Sequence, residues 1–195
     1  TTLFRSKEAM RYVIDAKKLG YFITCEVMPH HIALTNESSY SVNPPLRKVE
    51  DIKFLISAIK EGWVDVIATD HAPHSSDDKE KGAPGISGIE TAFAVCYTKL
   101  VQGNNITLNK LSELMSKKPA EILGLNKGKI CVGFEGDIVL IDLNNEFTIN
   151  SDDFASKGKN TPFQQSSVYG KVITTIKLGK IVYDKGNFYG NTLAL

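Results

Sequence analysis

The chain has 195 residues, enough for one sizeable domain or a domain with a small companion, and its 42% apolar content supports a packed core and excludes a disordered chain. A formal net charge of +1 leaves no electrostatic footprint for nucleic acid or an anionic membrane surface, and the apolar runs are far too short to span a bilayer. Cys25, Cys96 and Cys131 lie far apart without metal-ligand spacing, and no signal peptide is visible at Thr1, so the cysteines read as reduced core thiols of a cytoplasmic protein.

The chain opens Thr1-Thr2-Leu3-Phe4-Arg5, without an initiator methionine, and enters a helix at once, which reads as a piece of a longer protein. Ser6 is the expected N-cap, Glu8 sits in the first turn, and Met10, Val13 and Ile14 form the apolar face before Gly20 stops the helix. A strand is expected over residues 21–27, ending in Glu26-Val27-Met28-Pro29-His30-His31. A polar loop follows from Asn36 to Asn43, and Pro44-Pro45 holds Asn43 and Arg47 in a fixed loop. A second helix is expected from about Glu50 to Glu61, with Ile52, Leu55, Ile56 and Ile59 on one face and Gly62 ending it. Residues 64–69 then read as a buried strand, and this alternation is that of a parallel α/β sheet.

Beyond it, Ser75 to Gly82 shows no periodicity and is read either as a mobile flap or as an ordinary solvated loop. Gly85 and Gly88 allow close backbone approach. Ile89, Ala92, Phe93, Cys96 and Leu100 outline a third helix, Thr107 caps a fourth, and Pro119 opens a short fifth that ends at Gly124. From Lys127 strands dominate: Gly136 to Asp142, Val172 to Leu178, and Ile181 to Tyr183, with Gly179-Lys180 read as a type II′ turn. Asn150 to Gln165 reads as polar and irregular. The organisation expected is an α/β part over residues 1–125 and a small β part over residues 126–195.

The chemistry concentrates after the residue 64–69 strand, in Asp70-His71-Ala72-Pro73-His74. In an α/β barrel the C-terminal strand ends face a shared pocket, and a carboxylate there can bind a metal, move a proton, or both. An Asp-His pair after a strand is also a common cap or turn. His30 and His31 at a strand end would point to opposite faces, so at most one faces the pocket, and a supporting role is favoured. Asn43 can hydrogen-bond an amide-like ligand or simply make a turn; Arg47 can grip a carboxylate or start a helix in solvent. Glu26 reads as an internal polar group needing a partner, and Glu90 as a residue favouring its helix N-terminus.

Together these stretches resemble the dihydroorotases of the amidohydrolase superfamily, in their longer bacterial type. Asp70-His71-Ala72-Pro73-His74 is similar to D-H-A-P-H, Pro84 to Thr91 to P-G-[IV]-x-G-x-E-T, Asn43 to Arg47 to N-P-P-L-R, and Glu26 to His31 to E-V-x-P-H-H. Val132 to Asp142 resembles the superfamily's G-x-x-A-D-[LI]-V-x-x-D strand. The resemblance implies part of a TIM (β/α)8 barrel followed by a small β-sandwich-like domain. It implies a zinc-dependent enzyme, with one or two Zn2+, that interconverts N-carbamoyl-L-aspartate and L-dihydroorotate in pyrimidine synthesis. Asp70 would be metal ligand and general base or acid, His74 would contact the substrate, Asn43 would hydrogen-bond its ring, and the Pro84-Gly85 backbone would close over it. The family's first-strand H-x-H, its bridging Lys or Asp and two later histidine ligands are absent, with Leu3 in one ligand's place. The expectation is therefore the C-terminal half of such an enzyme, with barrel strands 7 and 8 only, inactive by itself. Dihydropyrimidinase or allantoinase is the neighbouring reading. A non-catalytic scaffold for aspartate transcarbamoylase is the reading from another class, and a homodimer is left open.

Overall fold

The computed structural model describes residues 2–3 and 6–189; for residues 2 and 3 it describes the backbone alone. The assignment of Leu3's side chain to a ligand position therefore lies outside the described residues. Among these, no helix is long and apolar enough to cross a membrane.

Three short parallel strands lie side by side: β1 (Thr2–Leu3), β2 (Cys25–Val27) and β3 (Val66–Ile67), in the order β1-β2-β3. Parallel pairing of β2 with β3, Glu26 opposite Val66 and Val27 opposite Ile67, is what the alternating pattern predicts. β1 adds a strand to the two expected. β2 begins four residues later than expected, because Phe22 lies fully exposed and Tyr21 largely so, and neither faces a core.

Helices connect these strands. α1 (Lys7–Lys18) is capped as its sequence dictates: Ser6 Oγ accepts from Ala9 N at 3.1 Å, and Met10, Val13 and Ile14 are buried. Asp51 on the neighbouring helix also accepts from Lys7 N at 2.7 Å. α2 (Pro29–Ala33) is a short helix that the sequence reading does not anticipate. α3 (Val49–Glu61) buries Ile52, Leu55, Ala58 and Ile59 and ends at Gly62, whose φ of +87° is the left-handed stop. At the end of the sheet away from Asp70, Asp65 Oδ2 accepts from Lys17 Nζ at 2.5 Å and from Cys25 N at 2.7 Å, tying α1, β2 and β3 together.

Residues 75–82 are not a loop. Ser75 caps a helical turn, α4 (Ser76–Glu80), by accepting from Asp78 N at 3.2 Å. α5 (Ala92–Cys96) runs on into π-helical turns over Tyr97–Gln102; Ile89 lies outside the helix and is mostly exposed. α6 (Leu108–Ser112) passes through further π-helical turns (Glu113–Lys117) into α7 (Lys118–Ile122), the short helix expected there, which follows without a loop. Pro119 takes the expected first-turn position of α7.

The remaining strands form an antiparallel sheet in the order β4-β5-β6-β7: β4 (Ile138–Thr148), β5 (Ser167–Lys177), β6 (Lys180–Asp184) and β7 (Asn187–Phe188). β4 and β5 are longer than expected, with a register shift after Asp142, whose carboxylate accepts from Asn144 N and Asn145 N. The β5–β6 turn is Leu178-Gly179, with φ of +50° and +75°, the type I′ pattern rather than II′. Asp137 Oδ1 accepts from Leu178 N at 2.7 Å and Gly136 O accepts from Gly179 N at 2.9 Å, which moves the turn one residue forward.

One buried cluster joins α1, α3, the parallel strands and α5–α6 around Met10, Leu55, Ile59 and Leu100. A second draws on both parts of the chain, packing Ile86, Ala94 and Val95 against Ile149, Phe163 and Val168. Cys25 and Cys96 are core thiols as expected; Cys131 is exposed, in the turn-rich stretch before β4.

Candidate active site

The site is assembled by what happens at the end of β3. Ala68 N still bonds Val27 O at 3.0 Å, so β3 keeps company with β2 up to that residue. Asp70 then takes a φ of +50°, which turns the chain out of the sheet and leaves its carboxylate 39% exposed. The chain next pairs with a second segment: His71 bridges Ile86, and Ala72 N donates to Ile86 O at 2.8 Å.

The histidines have separate duties. His71 Nδ1 accepts from Gly88 N at 3.2 Å and Ile89 N at 3.3 Å, so its proton resides on Nε2. His74 Nε2 lies 3.0 Å from Pro84 O, an acceptor, so that nitrogen carries the proton. His30 and His31 are both buried, 1% and 3% exposed, because the helix starting at Pro29 replaces the strand alternation that would have separated them. His31 Nε2 donates to Pro44 O at 3.1 Å and thereby seats the loop that carries Asn43. His30 Nε2 is 4.0 Å from Asp70 Oδ2, and neither His30 nitrogen has a hydrogen-bond partner among the described residues. Burial, with a smaller contribution from His31, pushes the His30 pKa down to about 3, so its imidazole is neutral.

Asn43 is exposed, two residues after Ser41, whose carbonyl accepts from Gly85 N at 3.0 Å. Gly85 O accepts from Lys79 Nζ and Asn160 Nδ2, each at 3.0 Å. The structure thus brings the Asn43 loop, His74, Pro84 and Gly85 into one group. Asp70 is brought to His30, and no hydrogen bond or ion pair joins it to that group among the described residues. The peptide groups of Pro84 and Gly85 that would meet a ligand are already bonded to protein.

Arg47 is half-buried rather than solvated, and its Nε is buried without a hydrogen-bond partner among the described residues. Glu90 does not serve its own helix: its carboxylate accepts from Ala155 N at 2.8 Å and Ser156 N at 3.0 Å. It docks the segment between β4 and β5 onto the site. Sequence reasoning reads that segment as polar and irregular and gives it no role, yet Ser87, Gly158 and Asn160 meet there. Phe154, Pro162 and the buried Phe163 are the signs in the sequence that this polar stretch is held down.

A carboxylate beside a neutral imidazole can take up and return a proton. It does not make a zinc site alone. Among the described residues no group of three or more His, Cys, Asp or Glu could hold a metal. Zinc bonds to nitrogen and oxygen are about 2.0–2.2 Å, so two ligands at a tetrahedral angle sit about 3.3 Å apart. The His30–Asp70 separation of 4.0 Å exceeds that.

Comparison with known proteins follows the same lines. The chain is 55% identical over 181 residues to a dihydroorotase of Clostridium botulinum (strain Eklund 17B / Type B), covering 92% of this chain and 46% of that protein. It is 47% identical over 191 residues to a dihydroorotase of Geobacillus sp. (strain WCH70), covering 93% of this chain and 45% of that protein. The chain therefore spans about half the length of the curated relatives it matches. Its fold superposes on the crystal structure of a dihydropyrimidinase from Brevibacillus agri NCHU1002 with a TM-score of 0.93 at 28% identity, covering 98% of this chain and 46% of that one. The Amidohydrolase family matches residues 7–182, nearly the whole chain, and the protein belongs to that family.

Proposed function

We propose that the protein acts as a dihydroorotase, cleaving the ring amide of L-dihydroorotate to N-carbamoyl-L-aspartate and catalysing the reverse closure. The observation that carries this reading is the 55% identity to a dihydroorotase, spread over 92% of the chain. The likeness to dihydropyrimidinases, at 28% identity, supports a shared fold more than a shared substrate.

On this reading β1, β2 and β3 are consecutive strands of a (β/α)8 barrel that the described residues leave incomplete. Residues 1–125 belong to the barrel, and residues 126–195 form a small β-sandwich-like domain against it. Asp70 stands at a C-terminal strand end, where barrel enzymes gather their catalytic groups. In hydrolysis a water adds to the ring carbonyl and the C–N bond breaks. Asp70 takes the proton of the attacking water and returns it to the leaving nitrogen. Neutral His30 beside it adds no competing positive charge. Asn43 and His74 orient the substrate, while Pro84 and Gly85 offer a fixed wall.

Zinc, one ion or two, would supply a polarised water in such an enzyme. Asp70 is the described residue that stands in a ligand position, but the described residues do not complete the set, so no step is drawn through the metal. The test is to assay the full-length protein on L-dihydroorotate, hydantoin and allantoin. Turnover of dihydroorotate above the others, lost by about 10²–10⁴-fold in Asp70→Ala, supports the reading. Preference for hydantoin overturns it.

A further inference from the structure

Asn160 lies in the irregular segment between β4 and β5, far in sequence from the strand ends, yet it sits where several loops meet. Its Oδ1 accepts from His74 N and its Nδ2 donates to Gly85 O, each at 3.0 Å. These two bonds set the orientation of the carboxamide, since a backbone N–H only donates and a carbonyl only accepts. Its own carbonyl accepts from Ser87 N at 2.7 Å. Ser87 Oγ lies 3.1 Å from Asn160 Oδ1, but its single proton has the shorter partner in Gly158 O at 2.6 Å. Gly158 packs so closely that a Cβ there would stand 2.7 Å from Pro73 Cβ and 3.0 Å from His74 N.

We infer that Asn160 is a positioning residue for substrate binding: its carboxamide spans from the His74 backbone to the Gly85 backbone and holds the two loops at the spacing that keeps the His74 ring on Pro84. The inference rests on the reading above for the identity of the substrate, but not for the clamp itself. The loops are also tied by the His74 Nε2–Pro84 O bond at 3.0 Å, the Ala72 N–Ile86 O bond at 2.8 Å and the bonds from Gly88 N and Ile89 N to His71 Nδ1, but it is the Asn160 carboxamide that joins the His74 backbone itself to Gly85. Loops that must be ordered at the moment of binding weaken it, and a clamp formed beforehand removes that cost. Aspartate at 160 would keep the acceptor for His74 N, lose the donor to Gly85 O and set a carboxylate against that carbonyl. Alanine would lose both.

The experiment follows amide hydrogen exchange at His74, and kcat and KM on L-dihydroorotate, in the full-length protein and in its Asn160→Ala and Asn160→Asp variants. His74 exchange should rise about tenfold in Asn160→Ala, the loss of one hydrogen bond, and stay slow in Asn160→Asp. KM should rise about tenfold in both, with kcat within about threefold, because Asp70 is untouched. Unchanged His74 protection in Asn160→Ala, or a fall in kcat at constant KM, overturns the inference. If Asn160→Ala does not fold, an unchanged KM in Asn160→Asp overturns it as well. Faster His74 exchange in a protein that never turns over dihydroorotate supports the clamp and removes only the substrate assignment.

Discussion

Gly85→Ala should be far more damaging than an exposed glycine substitution three residues away. Gly85 has a φ of +135°, a region in which side chains are rarely found, and the strain alone is about 1–3 kcal/mol. A Cβ at Gly85 would stand 2.7 Å from Ala72 Cβ, 2.9 Å from Ala72 O and 3.2 Å from His74 Nε2. Ordinary contact begins near 3.4 Å, so the loop must retreat by 3.4 − 2.7 = 0.7 Å. The retreat pulls on Gly85 N–Ser41 O, Lys79 Nζ–Gly85 O and Asn160 Nδ2–Gly85 O, all at 3.0 Å. Each bond is worth about 0.5–1.5 kcal/mol net, so losing two with the backbone strain brings the total to about 2–6 kcal/mol. Gly82 is the control: its φ is +89°, but a Cβ there meets nothing within 4 Å, so Gly82→Ala should cost about 1 kcal/mol. Urea unfolding reads the difference, and with m about 2 kcal/mol/M the two midpoints should lie roughly 0.5–2.5 M apart. Coincident midpoints would refute the claim that this loop is seated by close approach.

The pin at the far end of the sheet should matter too. Asp65→Ala leaves Cys25 N without its side-chain acceptor and Lys17 without its carboxylate, at sites only 15–23% exposed, and should cost about 2–3 kcal/mol or roughly 5–10 °C in Tm. Asp65→Asn, which keeps an acceptor for Cys25 N, should lose about half as much, and an Asp65→Ala change under 0.5 kcal/mol would contradict the assignment. Burial holds the Cys25 thiol pKa up at about 11 against an ordinary 9.0. Above pH 9 the unfolded chain releases that proton while the folded chain keeps it, so this contribution is intact below about pH 9 and lost as pH rises toward 11. Between pH 8 and 10, Cys25→Ala should lose about 1 kcal/mol less stability than the parent; equal losses in guanidinium titrations would count against it.

Most of the helices and their caps were legible because they rest on local rules: Ser6, Thr107 and Gly62 each act within one turn. For Ser75 the cap was passed over because the turn it starts is polar on every side and has no apolar period to detect. The parallel pairing of β2 and β3 was legible from alternation. Their lengths were not, since apolar residues such as Phe22 and Tyr21 mark a strand in sequence and yet stand in solvent. Asp70 and His74 were singled out by their clustering after a strand. His30 and His31 were singled out as supporting residues, but their separation to opposite faces was misjudged because Pro29 starts a helix there, and a period of two no longer applies. Asn160, Ser87 and Gly158 escaped for another reason: their bonds cross more than 70 residues of chain, and no local pattern announces a contact of that separation.

The central claim is that Asp70 belongs to a dihydroorotase site which the described residues do not complete. It is tested by expressing the 195-residue chain by itself and, in parallel, fused behind the preceding part of the Clostridium botulinum relative. Bound zinc and dihydroorotate hydrolysis are measured in both. The account predicts no tight zinc and no turnover for the chain by itself. For the fusion it predicts stoichiometric zinc and turnover of about 1–10³ s⁻¹, abolished by Asp70→Ala. Tight zinc with turnover in the isolated chain, or an active fusion indifferent to Asp70→Ala, would contradict it.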